Sequence, residues 1–520
     1  MARGLILSLC YLLITLCASA QLTEQQQVQK LHYAYQNIRN HYVDDVPLEP
    51  LVEEAIRATL AELDPHSKYL SREEMARLRT RLRGEFGGIG IRYIMHNDTA
   101  VVRTTLYRSP AERAGIRPND RIVAIDNRSL VGLSTDSIAT LLRGDKGSRL
   151  RLGIVRRGEE QMLDIELRRD NIESSAISAA FRIGEVGYIA TTAFSNPMTA
   201  EFLAAYRGLG KVSSLVVDMR NNGGGAITAA IELTSLFLHS GEIIVSTEGR
   251  SKQQIYDTKR DGALCDIPLV VLINESSASA SEIFAGAIQD YDRGVIVGHT
   301  SYGKGLVQRV IDLKDGSGIT LTVARYKTPS GRIIQRPYRM GGGEEYAKDR
   351  GRYQHPDSVA HDESLLFKTL RHGRRVYGGG GITPDLYINS DTIVLSEAVA
   401  RGLARAGFEH VVIDFWERSS LDTLRAKYPT VEEFNTSYSL DELLVDSFCR
   451  FAECRRESLS TIDQAFIRTM LLATMAEQLY DSNARSYIYS TRFDYMVRRA
   501  VEVAANKEEI LTTLGAISNN

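Results

Sequence analysis

Three short apolar runs, each followed by small or polar residues, constrain the fold of this chain more than any other feature. The runs are rich in β-branched residues, as buried strands are, and span residues 215–218, 270–273 and 295–297. Helical patterns begin after the first run at Ile227 and after the second near Ala280. This alternation predicts an α/β core, in which chemistry is commonly carried where strands end.

The residues that follow these runs are of the types that support acyl-transfer chemistry. The first run leads into three consecutive glycines, 223–225, at a strand-to-helix junction. Glycines there let the backbone approach a ligand closely, with N–H groups pointing outward at the positive end of a helix. The second run leads to Ser277, Ser279 and Ser281, and the third to Lys304 within Tyr-Gly-Lys-Gly.

A serine and a lysine placed at strand ends predict a Ser/Lys hydrolase. A serine hydroxyl is a poor nucleophile near neutral pH, and a lysine that loses solvent on burial can act as the neutral base that it needs. Ser279 would stand at the start of a helix, where the N–H of Ala280 can donate to a developing negative charge. The plain alternative is that these serines only cap the helix.

Two other motifs resemble known sites but lack essential parts. Residues 298–305 nearly match a phosphate-binding loop, yet Gly305 replaces the magnesium-binding Ser/Thr and the next residues alternate like a strand. Ser301 and Lys304 have the spacing of penicillin-binding enzymes, but the flanking glycines disfavour the required helix and no Lys-Thr-Gly follows. No His-Glu-x-x-His or Cys-x-x-Cys motif occurs, so we expect no catalytic metal and no cofactor.

Length and charge limit the classes of protein that fit. The chain has 520 residues, enough for several domains, and a formal net charge of -2. Binding to phosphate backbones requires a basic surface, so nucleic acid is not expected as a partner.

The first 20 residues are typical of a secretory signal peptide. Arg3 precedes an apolar run, 5–17, that is too short to span a bilayer, and Ala-Ser-Ala at 18–20 supplies a small-residue cleavage site. Cys17 resembles a lipidation site, but Leu16 is bulky where that signal requires a small residue. We therefore expect an exported, periplasmic or otherwise extracytoplasmic protein, and membrane association stays open.

Cleavage of the signal peptide would leave three cysteines: Cys265, Cys449 and Cys454. Three thiols do not make a disulfide framework. In an oxidising compartment the last two could form a bridge, and the alternative is that all three are buried thiols.

Two further regions precede the predicted α/β core. Apolar residues recur at helical spacing from Val28 to Tyr42 and from Leu51 to Leu63, so residues 21–85 are predicted to be a helical N-terminal region. Residues 86–170 combine a glycine-rich start, short strands and two capped helices, and this block resembles a PDZ domain. Its glycines would expose backbone N–H groups to a peptide carboxylate, and its strand edge would pair with the peptide. The residues predicted to bind the peptide are Gly87, Gly88, Ile89, Gly90 and Ile91.

Several motifs follow one another in a fixed order across residues 28–388: Leu-Asp-Pro-His-Ser at 63–67, the glycine stretch 86–91, Asp-Met-Arg-Asn-Asn-Gly-Gly-Gly at 218–225, Asn-Glu-Ser-Ser-Ala-Ser-Ala-Ser-Glu-Ile at 274–283, Tyr-Gly-Lys-Gly at 302–305, Thr-Pro-Ser-Gly-Arg at 328–332 and Gly-Gly-Ile-Thr-Pro-Asp at 380–385. In this order they resemble the carboxy-terminal processing peptidases, also called tail-specific proteases, of the PDZ-containing serine peptidase family S41. Motifs in series are far more specific than any one of them alone.

The resemblance implies roles for individual residues. The family's nucleophile falls on Ser279, its general base on Lys304 and the residue that orients the lysine on Gln308. Its oxyanion donors fall on the backbone N–H groups of Gly224 and Ala280. Glu282, one helical turn beyond the serine, either supports the site or is a cap or a surface carboxylate. One departure is Gly223, where many relatives carry proline, which leaves the oxyanion donor in doubt.

The resemblance also implies a multidomain α/β architecture. The expected domains are a signal peptide (1–20), the helical N-terminal region, the inserted PDZ domain, a crotonase/ClpP-like serine protease core (171–388) and a helical C-terminal extension (389–520). The polar stretch 339–375 is expected to be a surface insertion.

Two functions follow from this architecture. The first is an exported endopeptidase that recognises proteins or peptides by free, apolar C-termini and cleaves them through an acyl-enzyme. The second is a non-catalytic peptide-binding scaffold with a relic protease core, which the presence of Ser279, Lys304 and Gln308 disfavours. A homodimer through the helical N- or C-terminal regions and an adaptor protein stay open, and the sequence names no substrate.

Overall fold

The computed structural model describes residues 23–106, 109–173, 175–250, 252–348, 363–388 and 394–517. The predicted signal peptide and part of the predicted surface insertion lie outside these ranges. Within them, no helix combines the length and the apolar character that crossing a bilayer requires.

The N-terminal region is helical, as predicted, and includes one short strand. Its first helix buries none of its side chains, although it begins with a capping box in which Thr23 and Gln26 bind each other. Its elements are α1 Glu24–His41, α2 Leu48–Ala61, β1 Lys68–Leu70 and α3 Arg72–Arg83.

The PDZ region folds around its own apolar core, with strands in the order β3-β4-β5-β7-β8 and β6 paired with β5. Strand β3 lies at one edge of this sheet, and β2 and β9 pair with each other where the chain enters and leaves the region. Its elements are β2 Glu85–Gly88, β3 Ile91–His96, β4 Thr99–Thr105, α4 Pro110–Arg113, β5 Arg121–Ile125, β6 Arg128–Ser129, α5 Thr135–Leu142, β7 Arg149–Val155, β8 Leu163–Arg168 and β9 Asp170–Glu173.

The protease core contains the predicted alternation of strands and helices. Its elements are β10 Ile177–Ile183, β11 Val186–Thr191, α6 Met198–Gly208, β12 Ser214–Asp218, α7 Ile227–Ser235, β13 Ile243–Gly249, β14 Gln253–Asp257, β15 Leu269–Ile273, α8 Ala280–Asp290, β16 Val295–Gly298, β17 Leu306–Asp312, β18 Gly318–Lys327, α9 Gly343–Lys348, β19 Leu366–Lys368, β20 Arg375–Tyr377 and β21 Leu386–Tyr387.

The central sheet has the order β10-β11-β12-β15-β16-β21, and every pair from β11 onward is parallel. Because side chains alternate along a strand, Leu215 and Val217 pack into the core that contains α6, α7 and α8. Val216, between them, packs into a second core on the opposite face. Burial on both faces explains why these strands are continuous apolar runs.

A second, antiparallel sheet links the N-terminal region to the core. Strand β18 pairs with β17 and β13, and it also pairs with β1, where Lys68 lies opposite Thr320. Residues 64–70 are thereby attached beside the loop that carries Lys304, which the periodicity of the N-terminal helices could not show.

The C-terminal region is helical, as predicted, and has two parts. Helices α10–α16 surround one apolar cluster, whereas α17 and α18 cover the second face of the central sheet through residues such as Val497, Ala500 and Ile510. Cys265, Cys449 and Cys454 are free thiols. The helices are α10 Glu397–Ala404, α11 Gly407–Trp416, α12 Leu421–Lys427, α13 Val431–Ser437, α14 Glu442–Phe451, α15 Thr461–Leu479, α16 Ser482–Arg492, α17 Tyr495–Ala505 and α18 Lys507–Thr513.

Candidate active site

The candidate site lies at the carboxyl edge of the central sheet, where three neighbouring parallel strands end. β15 pairs with β12 on one side and with β16 on the other, so the loops that follow them meet. These loops carry the glycine triplet, Ser279 and Lys304. Adjacent strand ends in a parallel sheet are where such folds place their ligands.

Ser277, Ser279 and Ser281, which follow the second run, differ in what their hydroxyls do. Ser277 is fully buried and its hydroxyl donates to the Met219 carbonyl at 2.8 Å. Ser281 is also fully buried and donates to the Asn222 carbonyl at 2.8 Å. Ser279 alone of the three is partly exposed. Among these three serines, Ser279 is therefore the one that a substrate can reach; Ser276, earlier in the same loop, is also partly exposed.

Ser279 has a strained backbone, with φ 57° and ψ -109°, immediately before α8. Side chains other than glycine rarely adopt a positive φ, and such a conformation costs about 1–3 kcal/mol unless its surroundings enforce it. The Ser279 N–H donates to Glu282 Oε2 at 2.7 Å, which anchors the turn to the first turn of the helix. Backbone strain of this kind concentrates at functional sites.

The Glu282 carboxylate is hydrogen-bonded both to the loop that carries Ser279 and to the loop that carries Lys304. Its Oε2 accepts the N–H groups of Ser279 and Lys304, the latter at 2.9 Å, and its Oε1 accepts the Gly303 N–H and the Ser301 hydroxyl, both at 2.6 Å. The carboxylate is fully buried, and burial raises its pKa although all four hydrogen bonds oppose that rise. It is neither a surface carboxylate nor a simple cap.

Lys304 and Gln308 are in direct contact. Lys304 Nζ donates to Gln308 Oε1 at 2.7 Å, and Gln308 Nε2 donates to the carbonyl oxygen of His66. β17 begins at Leu306, and its pairing with β18 is irregular between Val307 and Gln308. Because the amide NH₂ is held by His66, the amide oxygen must face the lysine.

The surroundings of Lys304 favour its neutral form. Burial lowers the pKa of Lys304 below its ordinary value, and the positive charge of Lys68 lowers it further, whereas Glu282 and Asp64 oppose the shift. Burial, together with the charge of Lys304, also lowers the pKa of His66 to about 4, so its ring is uncharged near neutral pH. His66 Nε2 lies 3.2 Å from the Tyr346 hydroxyl.

The glycine loop lies directly against the serine. A Cβ on Gly224 would lie 2.9 Å from Ser279 Cβ and 2.8 Å from the Ala280 nitrogen, and Gly224 has φ +90°. The Gly224 N–H donates to Asn222 Oδ1 at 3.0 Å. By contrast, the Ala280 N–H has no hydrogen-bond acceptor among the described residues. Of the two donors that the resemblance implies, Ala280 is thus the one available in this arrangement.

The predicted peptide-binding residues form one segment that leads into the edge strand β3. Gly87 and Gly88 belong to β2, and the carbonyls of Ile89 and Gly90 accept the N–H groups of residues 111 and 106. A Cβ on Gly87 or Gly90 would lie 2.2 Å from the Gly144 oxygen or the Ser109 Cβ. Close packing therefore already requires two of these glycines, and the role of the segment in binding a tail stays a prediction.

Sequence reasoning assigned no role to several residues that complete the site. His66 lies in the noted Asp-Pro-His-Ser turn, but its carbonyl contact with Gln308 could not be anticipated. Buried Tyr326 donates to the carbonyls of Lys304, at 2.7 Å, and Ser279, at 3.2 Å, and no motif marks it.

Among the described residues, the clusters with metal-binding spacing are His239–Cys265–Asp266 and His96–Asp414–Glu417, and neither includes Ser279 or Lys304.

Comparisons with known proteins find relatives for three parts of the chain. Family models match over residues 185–340 (peptidase family S41), 102–156 (PDZ domain) and 15–74 (activating protease CtpB N-terminal domain). A carboxy-terminal-processing protease of Bartonella bacilliformis is 37% identical over 319 residues, which are 60% of this chain and 73% of that protein. A probable CtpA-like serine protease of Staphylococcus aureus is 30% identical over 368 residues, 68% of this chain and 73% of that protein.

Among solved structures, the photosystem II D1 C-terminal processing protease is 27% identical and aligns with a TM-score of 0.35 over 72% of this chain and 95% of that one. The fold and the site define a PDZ-containing serine peptidase. The chain belongs to peptidase family S41, among its carboxy-terminal processing proteases.

Proposed function

We propose that this peptidase is an exported endopeptidase that binds protein substrates by their C-terminal tails and cleaves them with Ser279 as nucleophile and Lys304 as general base. One observation carries the assignment of residues: Ser279 is partly exposed, and its backbone N–H is bound to the same Glu282 oxygen as the N–H of Lys304. Gln308 holds the lysine amine in place.

In the acylation step, neutral Lys304 accepts the hydroxyl proton of Ser279 while Oγ attacks the carbonyl carbon of the scissile peptide. The resulting oxyanion accepts the N–H of Ala280, which no described group occupies. Protonated Lys304 then gives its proton to the leaving amine as the C–N bond breaks, and the acyl chain remains on Ser279 as an ester.

In the second step, water replaces the leaving amine and hydrolyses the ester. Lys304, neutral again, takes a proton from the water and later returns it to Ser279 Oγ. Gly224 can donate to the oxyanion only after its N–H leaves Asn222 Oδ1 or is shared with it. We therefore assign Ala280 as the first oxyanion donor and Gly224 as the second.

Strand β3 supports the proposal for tail recognition. It is an edge strand of the PDZ sheet, and the Tyr93 hydroxyl on β3 donates to the Thr135 carbonyl at the start of α5 at 2.8 Å, which brings this helix beside the open edge. An extended peptide can add to such an edge while its terminal carboxylate lies near the glycine-rich segment. Apolar residues such as Ile91 favour tails that end in small or apolar residues.

Export and self-association complete the proposal. The signal-like residues 1–20 support transfer to an extracytoplasmic compartment. Helix α1 leaves Val28, Leu31 and Ile38, which share one side of the helix, 38–70% exposed and buries none of its side chains. An exposed apolar face of this kind supports a homodimer through the N-terminal region, which sedimentation of the mature chain with and without residues 24–41 would test.

The central experiment compares two peptides that differ only at the C-terminus. We expect the mature chain to cleave a peptide with a free apolar C-terminus much faster than its amidated twin, because amidation removes the charge that the tail site binds. The Ser279→Ala variant should cleave neither peptide. Equal kcat/KM for the two peptides would contradict tail recognition, whereas full activity of Ser279→Ala would contradict the assigned nucleophile.

A further inference from the structure

The PDZ region is bound to the C-terminal helices by charged and polar contacts that include neither Ser279 nor Lys304. Arg103 on β4 lies 2.5 Å from Glu477 and 3.5 Å from Glu409. Arg121 on β5 lies 2.6 Å from Glu417, at the end of α11. Beside these ion pairs, His96, the last residue of β3, faces α11.

Three side chains converge at this junction with the spacing of metal ligands. His96 Nε2 lies 3.1 Å from Asp414 Oδ1, and the ligand atoms of His96, Asp414 and Glu417 all lie within 4.8 Å of one another. Ligands on a tetrahedral zinc ion, with bonds of about 2.1 Å, are about 3.4 Å apart. The two carboxylates are on the surface, 55% and 53% exposed, so an ion can reach them from solvent.

His96 is an unusual member of this cluster because it is only 4% exposed and its Nε2 lacks a hydrogen-bond partner. Asp414 is near enough to Nε2, but its direction does not suit a hydrogen bond. A buried ring nitrogen without a partner is costly. A cation bound by Nε2 and both carboxylates would satisfy the nitrogen and offset the negative charge of Asp414, whereas Glu417 is already paired with Arg121.

The other ring nitrogen of His96 has the contact that metal-binding histidines require. His96 Nδ1 lies 2.6 Å from His410 Nδ1, so one of the two must carry a hydrogen and the other a lone pair. When His96 donates, its Nε2 keeps the lone pair that binds a metal. A hydrogen bond on the second nitrogen of this kind fixes the orientation and tautomer of a histidine ligand.

We propose that His96, Asp414 and Glu417 bind a divalent transition-metal ion such as Zn²⁺, with water in the remaining position. Nitrogen and carboxylate ligands in this number suit zinc. Because His96 belongs to the PDZ region and both carboxylates belong to the C-terminal helices, the ion links the two. Glu417 also pairs with Arg121 through Oε1, which leaves its other oxygen for the ion.

The test titrates ZnCl₂ into the metal-free mature chain and follows binding by calorimetry. We expect the wild-type chain to bind one Zn²⁺ at this junction, and Asp414→Asn or Glu417→Gln to weaken binding by about tenfold or more. Both carboxylates are exposed, so these variants should remain folded. His239→Ala, which disrupts the other cluster with metal-binding spacing, is the matched control and should leave this binding unchanged.

Two readouts other than affinity separate this site from nonspecific binding. Co²⁺ in place of Zn²⁺ should give the visible absorption bands of a tetrahedral ion in the wild type and lose them in His96→Ala. Zn²⁺ should slow amide exchange in β3 and α11 of the wild type but not of Asp414→Asn. Failure of the wild type to bind Zn²⁺, or unchanged binding in Asp414→Asn and Glu417→Gln, would overturn the proposal.

Discussion

Glu282 Oε2 accepts the backbone N–H of Lys304 at 2.9 Å, although the two residues are 22 positions apart in the sequence. Through this bond, one buried carboxylate sets where the lysine loop lies relative to the helix that follows Ser279. Glu282 is therefore a positioning residue for the proposed pair.

Replacing Glu282 with glutamine should lower kcat and shift the pH–rate profile. Its amide cannot accept four hydrogen bonds as the carboxylate does, so we expect kcat to fall by about tenfold to a hundredfold, with little change in KM. Since the negative charge of Glu282 raises the pKa of Lys304, its loss should also move the rising limb of the pH–rate profile to lower pH. Steady-state kinetics across pH measure both effects.

The control for this variant is Glu232→Gln, on the exposed face of α7, which should change neither kcat nor the pH profile. If Glu282→Gln retained wild-type kcat and an unshifted profile, the positioning role would be wrong.

The three neighbouring serines should respond differently to alanine. Ser279→Ala should lower kcat/KM by at least about 10⁴-fold while the melting temperature changes little. Ser277→Ala and Ser281→Ala should keep measurable activity but lose stability, by about 1–3 kcal/mol each, because buried hydrogen-bonding groups lose their partner. Peptide hydrolysis and thermal unfolding of the three variants are the measurements, and an active Ser279→Ala chain would refute the mechanism.

The positive charge of Lys68 should affect the pKa of Lys304, the proposed general base. Its positive charge disfavours protonated Lys304 and lowers the pKa of that amine. Lys68→Gln removes this repulsion, so the pKa of Lys304 rises and the rising limb of the pH–rate profile moves to higher pH. Lys68→Arg keeps the charge and should keep the wild-type profile. Because Lys68 is exposed, added salt should reduce the difference between the pH–rate profiles of wild type and Lys68→Gln. Identical pH–rate profiles at low salt would argue against Lys304 as the titrating group.

Two adjacent glycines offer a matched pair of variants. In Gly224→Ala the new Cβ would press on Ser279 and Ala280 at a positive φ, so we expect activity to fall by about a hundredfold. Gly223 has open space around its Cβ position, and Gly223→Ala should leave activity near the wild-type level and stability unchanged or raised by up to about 1 kcal/mol. Peptide kinetics and thermal unfolding of both variants measure this, and equal loss of activity in the two would contradict the assigned geometry.

Much of the fold was predictable because local patterns specify it. The short strands and capped helices expected within residues 86–170 are present, among them strand β5 Arg121–Ile125 and helix α5 Thr135–Leu142. Strand β17 begins at Leu306, so the loop before it does not open a helix as a phosphate-binding loop would. Ser279, Lys304 and Gln308 were singled out from motifs, and their roles stay predictions until variants are measured.

Other parts of the site depend on contacts between distant segments. The support of Gln308 by His66 spans 242 positions and requires β1 to pair with β18. The contact of His96 with α11 spans 314 positions, and no short motif encodes it. The expectation of no catalytic metal rested on motifs with local spacing, and such motifs do not describe groups of side chains that come from separate domains.

The sequence by itself determined where strands end and which reactive side chains follow them, because apolar runs, glycines and helix caps act over a few residues. Tertiary structure alone decided that Ser277 and Ser281 are buried while Ser279 is partly exposed, and that Glu282 binds both loops. It also decided that α17 and α18 cover the second face of the central sheet. Burial, electrostatic shifts and long-range hydrogen bonds arise only when segments far apart in the chain pack together, so no local pattern carries them.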